Sequence, residues 1–348
     1  MFVTCAPGVG RLLRRQLAAV DGLDATGGGF DGRSDIVFFE ADVAARTHAL
    51  RTRLAEYVFA EIGRSSRGSS ASLSRLAGAG AVAASTWEPG AVERALSVWA
   101  GEDRQLSGSM TYRVTAQARM HSRLQRPDLR RAMAAVIGAD KPRWRFADPA
   151  QLEFQLSEWH DGQYVAGLRI SGPVARPDGR SAELSGQLPA TVAAAMVQLA
   201  GDAAAGSTES RGQILLDPCC GAGTILAEAV AAGWAAEGSD LDPAAVQAAS
   251  RAASGAAVEI GDARDLLVAD DCVHACVSWL PGRVQESWPA FAGSVLAELS
   301  RVTRSGGSVV LLAPDLPRAV IPATLRLRKQ VPVQVLGTNQ SIWVFRRV

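Results

Sequence analysis

Lysine is almost missing from this chain. Of 36 basic residues only Lys141 and Lys329 are lysine, and the other 34 are arginine. That bias follows genomic base composition, although arginine is also the better fork for phosphate oxygens. Cysteine is scarce and odd in number: five, at positions 5, 219, 220, 272 and 276. That excludes a fully paired disulfide framework and points to the reducing cytoplasm. Only His274 lies near the Cys272/Cys276 pair, and no second ligand pair has metal-site spacing, so no metal is expected. Long apolar runs are absent too. None approaches the ~20 residues that cross a bilayer, and the opening MFVTCAPGVGRLLRRQL lacks the basic-then-apolar order of a signal peptide. An excess of one charge is also lacking, with 36 basic against 35 acidic residues and a net charge of +1. That excludes a chain that is one highly basic tail.

What is present is apolar material in quantity: 48% hydrophobic against 20% charged residues, which excludes disorder throughout. At roughly 150 residues per domain, 348 residues suggest two or three units. The balanced charge hides an asymmetry. Between Arg104 and Arg145 ten basic residues face only Asp128 and Asp140, a local charge of +8 that leaves −7 for the rest. With Tyr112, His121 and Trp144 interleaved, the segment suits a phosphate-backbone surface; a solvated helix face with a basic loop is the plainer reading.

Strand and helix signals alternate along the first 170 residues. Phe2–Cys5 reads as a strand and Gly8–Val20 as a helix, followed by a strand at Ile36–Glu40 and a helix at Asp42–Leu54 behind an acidic cap. Ser65–Ser85, rich in Ser, Gly and Ala, reads as loose, with a helix start near Leu73–Leu76. A helix (Ala91–Ala100), a strand (Thr111–Ala116), a helix (Pro127–Ile137) and a hairpin (Leu152–Trp159, Gln163–Ile170) about His160-Asp161-Gly162 complete an α/β module. Gly172–Leu188 reads as a linker. After a helix at Ala190–Leu199, strands are expected at 213–217, 235–239, 257–260, 273–278, 307–312 and 341–346 with helices between them. That is the pattern of a doubly wound, mostly parallel sheet.

The densest signal is Ile214-Leu215-Leu216-Asp217-Pro218-Cys219-Cys220-Gly221-Ala222-Gly223-Thr224, an apolar strand running into a glycine turn that opens a helix. Such a turn lets a ligand approach the backbone, and the helix start offers free N–H groups. Asp240, nineteen residues beyond Gly221 at the end of the next strand, can accept both ribose hydroxyls of an adenosine. Asp262, after the third strand, could meet the adenine amine. The dinucleotide fingerprint G-x-G-x-x-G would need glycine where Leu226 stands.

These residues resemble the D-P-x-C-G-[ST]-G-T loop and the two downstream acids of class I S-adenosylmethionine-dependent methyltransferases that act on nucleic acid. Leu188-Pro189-Ala190-Thr191-Val192 is similar to the helix that precedes this domain in THUMP-domain tRNA guanine-N2 methyltransferases. The opening Val3-Thr4-Cys5-Ala6-Pro7-Gly8, the segment Arg53–Phe59 and Thr111-Tyr112-Arg113-Val114-Thr115 share that likeness more loosely. The resemblance implies an N-terminal ferredoxin-like plus THUMP α/β module that holds RNA (1–171), a linker (172–188) and a C-terminal Rossmann-like methyltransferase domain (189–348). It implies S-adenosyl-L-methionine as cofactor, held by Asp217, Cys219, Gly221, Gly223, Asp240, Asp262 and Ala263. The partner implied is tRNA or another structured RNA, gripped through 104–145.

The likeness breaks at the acceptor. The family carries [NDS]-[LP]-P-[FYW] at the end of the fourth strand, whereas here Ser278 runs into Trp279-Leu280-Pro281-Gly282. Ser278, Trp279, Leu280 and Pro281 are the expected acceptor residues, with Trp279 either a stacking face or a hydrophobic plug. A methyltransferase for a small acceptor, or a non-catalytic RNA-binding protein that keeps the fold, remain alternatives.

Overall fold

The computed structural model describes residues 1–65, 74–101, 104–171, 187–203, 212–280 and 287–348. The expected linker 172–188 and acceptor residue Pro281 thus lie mostly or wholly outside the described residues. The chain divides into two compact units, Met1–Val174 and Ala175–Val348.

The first unit begins with β1 (Phe2–Cys5), α1 (Gly10–Ala18), β2 (Leu23–Phe30), β3 (Asp35–Ala41), α2 (Val43–Arg51) and β4 (Tyr57–Arg64). This βαββαβ order, with strands arranged β2-β3-β1-β4, is the ferredoxin-like arrangement. The chain continues through α3 (Arg75–Thr86), α4 (Pro89–Ala100), β5 (Thr111–Gln117), α5 (Arg126–Asp140), β6 (Arg145–Phe146), β7 (Leu152–His160) and β8 (Gln163–Arg169). Antiparallel pairing of β4 with β8 extends one sheet to eight strands, β2-β3-β1-β4-β8-β7-β5-β6. Gly167 sits at that seam because a Cβ there would lie 2.5 Å from the Phe2 ring, which stacks on Phe59.

Four elements of this unit depart from the sequence expectation: α3, β2, the interior strand β4 and the two-residue β6 were not read as such. The Ser/Gly/Ala stretch is not loose throughout: residues 75–86 form α3, capped by the Ser74 hydroxyl and packed against α5. Its small residues Gly78, Ala79 and Ala83 are buried, so close packing substitutes for bulk. Strand β2 (LDATGGGF) was not expected either. It is an edge strand whose exposure simply alternates, and its three glycines carry no apolar signal.

The second unit holds α6 (Ala190–Ala203), β9 (Ile214–Asp217), α7 (Thr224–Ala231), β10 (Ala235–Asp240), α8 (Pro243–Ala252), β11 (Ala257–Ile260), β12 (Val273–Trp279), α9 (Trp288–Val302), β13 (Thr303–Ala313), β14 (Leu325–Val335) and β15 (Thr338–Arg347). Its sheet runs β11-β10-β9-β12-β13-β15-β14; the first five strands are parallel, and β15 is antiparallel to both neighbours. Phe291, Val295, Leu296, Leu299 and Val302 of α9 share the helical spacing that buries them against β12 and β13. Strand order reverses at the β9/β12 boundary, the place where doubly wound sheets open a crevice at their C-terminal strand ends.

Helices do not separate every strand, contrary to expectation. Residues 261–272 cross from β11 to β12 without one. The β13–β15 connection contains β14, an edge strand that tolerates Pro332 because one side of it needs no ladder donor. Among the described residues, no helix is long and apolar enough to cross a membrane.

Candidate functional site

Asp217 ends the interior strand β9 and is fully buried. Its Oδ1 accepts the Ser278 hydroxyl at 2.7 Å and the Cys219 N–H at 3.3 Å. Its Oδ2 has no hydrogen-bond partner among the described residues. Burial pushes this carboxyl up to about 7; the Ser278 and Cys219 bonds lower it, and the Asp240 charge raises it further. The same burial drives Cys219 to about 12 and Cys220 well above the ordinary thiol, so both are neutral and poor nucleophiles.

Beyond Pro218 the chain turns through Gly221 (φ 51°) and Gly223 (φ 82°), left-handed conformations that exclude most side chains. They differ in purpose. A Cβ on Gly223 would lie 2.8 Å from the Ala249 backbone, whereas one on Gly221 would project into open space. Gly223 therefore serves helix packing, and Gly221 leaves room beside the loop for a ligand. Asp240 ties the loop to β10: its Oδ2 accepts the Gly221 N–H at 2.9 Å, and its Oδ1 accepts the Asp242 N–H at 3.0 Å. The Cys220 N–H donates to the Ser239 carbonyl. Asp242 in turn caps α8 through the Ala244 N–H.

Asp217, Cys219, Gly221, Gly223 and Asp240 are thus brought together at the C-terminal ends of β9 and β10. Asp262 and Ala263 follow β11. The Asp262 carboxylate is engaged by Arg264, through its backbone N–H at 2.9 Å and its guanidinium at 2.7 Å, which lowers its pKa. Ala263 is buried.

The acceptor residues behave differently from their sequence reading. Ser278, expected to face an acceptor amine, is fully buried and spends its hydroxyl on Asp217. Leu280 is buried, and its N–H donates to the Leu312 carbonyl. Trp279 is half-buried, and its Nε1–H donates to Gln340 Oε1 at 3.0 Å. The indole has one donor and no acceptor, so with that donor used only its ring face remains for a ligand. Gln340, Arg264 and the Ser278–Asp217 bond were not read from the sequence. Strand alternation could have shown that Ser278 and Trp279 point oppositely.

A strand order of this kind, a glycine loop, and an acid on each of the next two strands are the layout of an adenosine-ligand site. Residues 215–307 match the family model for a methyltransferase domain. The chain carries an S-adenosylmethionine-dependent methyltransferase domain. The residues fit that cofactor: the vacant lone pairs of Asp217 Oδ2 suit a cation, Gly221 leaves open space, and the Asp240 carboxylate stands beside the loop at the end of β10. The structure also resembles TrmN from Thermus thermophilus, with 22% identity, a TM-score of 0.72 and coverage of 100% of this chain and 99% of that one. That likeness shows the fold of both units of this methyltransferase. A TehB-like SAM-dependent methyltransferase from Corynebacterium glutamicum shares 21% identity over 44% of this chain and 87% of that one, at a TM-score of 0.33. Geranyl diphosphate C-methyltransferase from Streptomyces coelicolor shares 14% over 44% and 78%, at 0.35. No curated protein matches the sequence.

The basic segment of the first unit resolves into two clusters. α5 spans 15 residues, which separates its ends by ~22 Å. Arg123, Arg126 and Arg130 lie toward one end, with Arg143 and Arg145 beyond the other. Several charges are already satisfied: Arg113 pairs with Asp148 and Glu153, Arg119 with Asp161, Arg131 with Asp128, and Lys141 with Glu93. Arg126, Arg130, Arg143 and Arg145 are exposed, with no ion pair seen among the described residues. Tyr112 is not a surface aromatic, contrary to expectation; it is buried with its hydroxyl on the Ala134 carbonyl. Trp144 stacks on Phe154, and Phe146, 55% exposed, is the open ring beside Arg145.

Proposed function

We propose that this protein methylates the N2 amine of a guanosine in tRNA. The reading is carried by one combination: the D-P-C-C-G-A-G-T cofactor loop of a nucleic-acid methyltransferase in one chain with a separate α/β module bearing exposed arginines. The end-to-end fold likeness to TrmN, which covers both units, is consistent with it. In this reading residues 1–171 form the ferredoxin-like and THUMP module that holds RNA, 172–188 link it, and 189–348 catalyse. The five cysteines, all free, suit the cytoplasm.

Bound S-adenosylmethionine supplies a methyl group on a sulfonium that carries its own leaving group. The protein's task is alignment and exclusion of water. Asp217 places a buried anion where positive charge arrives, Gly221 admits the ligand to the loop, and Asp240 fixes the ribose. Trp279 offers the acceptor base a flat face. An exocyclic amine sheds its proton readily once methylated, so no strong base is needed. Tritiated methyl transfer to total tRNA, with nucleoside analysis for N2-methylguanosine, tests the reading. Transfer only to small acceptors would favour a metabolite substrate, as the altered acceptor motif would permit. Cofactor binding without transfer to any acceptor would leave an RNA-binding protein.

Stacking on an aromatic is worth roughly 1–3 kcal/mol per base. Trp279→Ala should therefore slow methyl transfer about 5- to 150-fold while calorimetry shows unchanged cofactor affinity. Trp279→Asn restores the family's polar residue and should recover activity relative to Ala. Wild-type rates in both variants would make Trp279 filler.

RNA affinity should depend on salt less steeply than ten basic residues suggest. Four free arginines at roughly −0.7 per contact give a log–log slope near −2.8, about sevenfold weaker binding for each doubling of salt. Replacing Arg126 and Arg130 together by Ala should flatten the slope by about 1.4. A slope unmoved by that change, measured by filter binding, would place the RNA elsewhere.

A further inference from the structure

Because no helix follows β11, one face of β10 and β11 is roofed only by residues 266–268, leaving a cavity of about 220 Å³. It lies beside the cofactor strands, but neither Asp217 nor Asp262 lines it. Leu216, Leu266 and Val268 give it apolar walls. Its roof is firmly held. The Arg301 guanidinium donates to the carbonyls of Leu266 and Val268 at 2.9 and 2.8 Å, and pairs with Glu298 and Asp270. Glu298 also accepts the Leu266 N–H.

The polar side chains that line it are two carboxylates, half-buried Glu237 and exposed Glu259 at its mouth, and the buried Ser239 hydroxyl. The parallel register pairs Glu237 with Ala257 and Ser239 with Glu259, so all four share the cavity face. The opposite face at this level is filled by Gly238 against Leu226 and Cys220. Neither glutamate has a cationic partner among the described residues. Ser239 is 4% exposed and lines the cavity beside Gly261, and its Oγ, 3.3 Å from where a Cβ on Gly261 would stand, has no hydrogen-bond partner among the described residues. Two like charges on one sheet face repel each other, and a buried hydroxyl without a partner costs free energy. A cationic ligand that bridges the carboxylates and meets the hydroxyl relieves both.

We propose that this cavity binds a small aliphatic diamine, its ammonium groups on Glu237 and Glu259, its methylenes along Leu216, Leu266 and Val268, and the Ser239 hydroxyl as an acceptor for one ammonium. The span fits. Neighbouring strands ~4.8 Å apart and two residues of rise, ~6.6 Å, set the carboxylate-bearing positions ~8 Å apart, the reach of a diamine with about four or five methylenes. A nucleotide is too large for the space, and a metal ion would find only two carboxylates, too far apart to share it. The site owes nothing to methyl transfer and stands whether or not the tRNA reading holds.

The test is calorimetric titration of the full-length protein with putrescine and cadaverine at fixed ionic strength, with n-butylamine and ammonium chloride as controls. Saturable one-to-one binding of a diamine, about tenfold or more tighter than butylamine, is the expected result. Glu237→Gln and Glu259→Gln preserve shape on a half-buried and an exposed side chain, and each should weaken diamine binding about tenfold or more while leaving thermal unfolding in the absence of diamine unchanged or slightly higher, because one of two like charges is gone. Ser239→Ala should weaken it less. Diamine binding no tighter than butylamine, or binding indifferent to both glutamine variants, would overturn the site.

Discussion

Asp217→Asn should make the cofactor-free protein more stable at pH 8 and nearly neutral in effect at pH 4. The Asp217 carboxyl is fully buried, with one oxygen lacking any partner among the described residues, and its pKa stands at about 7 against an ordinary 3.8. The folded state therefore holds this proton more tightly than the unfolded chain. Stability contributed by the group is intact below the unfolded value and falls as pH rises from about 4 to 7. Across about three units, at ~1.4 kcal/mol each, the loss reaches ~4 kcal/mol and is complete above pH 7. Asparagine is the isostere of the protonated acid and does not pay it. Chemical unfolding at pH 4, 6 and 8 reads the difference directly; a variant no more stable than wild type at pH 8 would show that Asp217 is not held protonated. Cofactor should reverse the ranking. A bound cation favours the ionised acid, so wild-type affinity should climb between pH 6 and 8, and the Asn variant should bind weakly and without that slope.

Why such an expensive residue sits there was only partly legible in the sequence. The glycine loop could be read because positive φ at Gly221 and Gly223 demands a residue type, and type is visible. Asp240 could be read because the strand–helix–strand rhythm fixes its distance from the loop. The bond that binds Asp217 to the acceptor strand could not. Ser278 is 61 positions away, and any small polar residue looks alike in a string. Trp279 and Gln340, also 61 apart, meet only because β15 returns antiparallel beside β13. Edge strands were the main blind spot of the fold. β2 and β14 bury too little on either face to write an apolar rhythm, and β14 carries a proline that a central strand would refuse. Charge was misleading in the opposite direction. The run from Arg104 to Arg145 counts as +8 in sequence, but Arg113, Arg119 and Lys141 find acids outside the run, which no local count includes.

Asp240→Ala should weaken S-adenosylmethionine binding about 10- to 150-fold, the equivalent of roughly 1.5–3 kcal/mol for charge-assisted hydrogen bonds. The structure gives two separable reasons. In the free protein the carboxylate accepts the Gly221 N–H through one oxygen and the Asp242 N–H through the other, so it positions the loop and the start of α8 before any ligand arrives. In the complex it would turn lone pairs to the ribose hydroxyls. Asp240→Asn separates these roles, because its amide oxygen can still accept one N–H while the charge is lost. If loop positioning dominates, Asn should retain most of the affinity. If charge on the ribose dominates, Asn and Ala should fall together. Calorimetry with S-adenosylhomocysteine beside S-adenosylmethionine completes the assignment. Both carry the same adenosine, so Asp240 variants should lose affinity equally for the two. Asp217→Asn, by contrast, should penalise the sulfonium more. Equal losses in both variants for both ligands would mean that the two acids act as one unit, and unchanged binding in Asp240→Ala would remove it from the site.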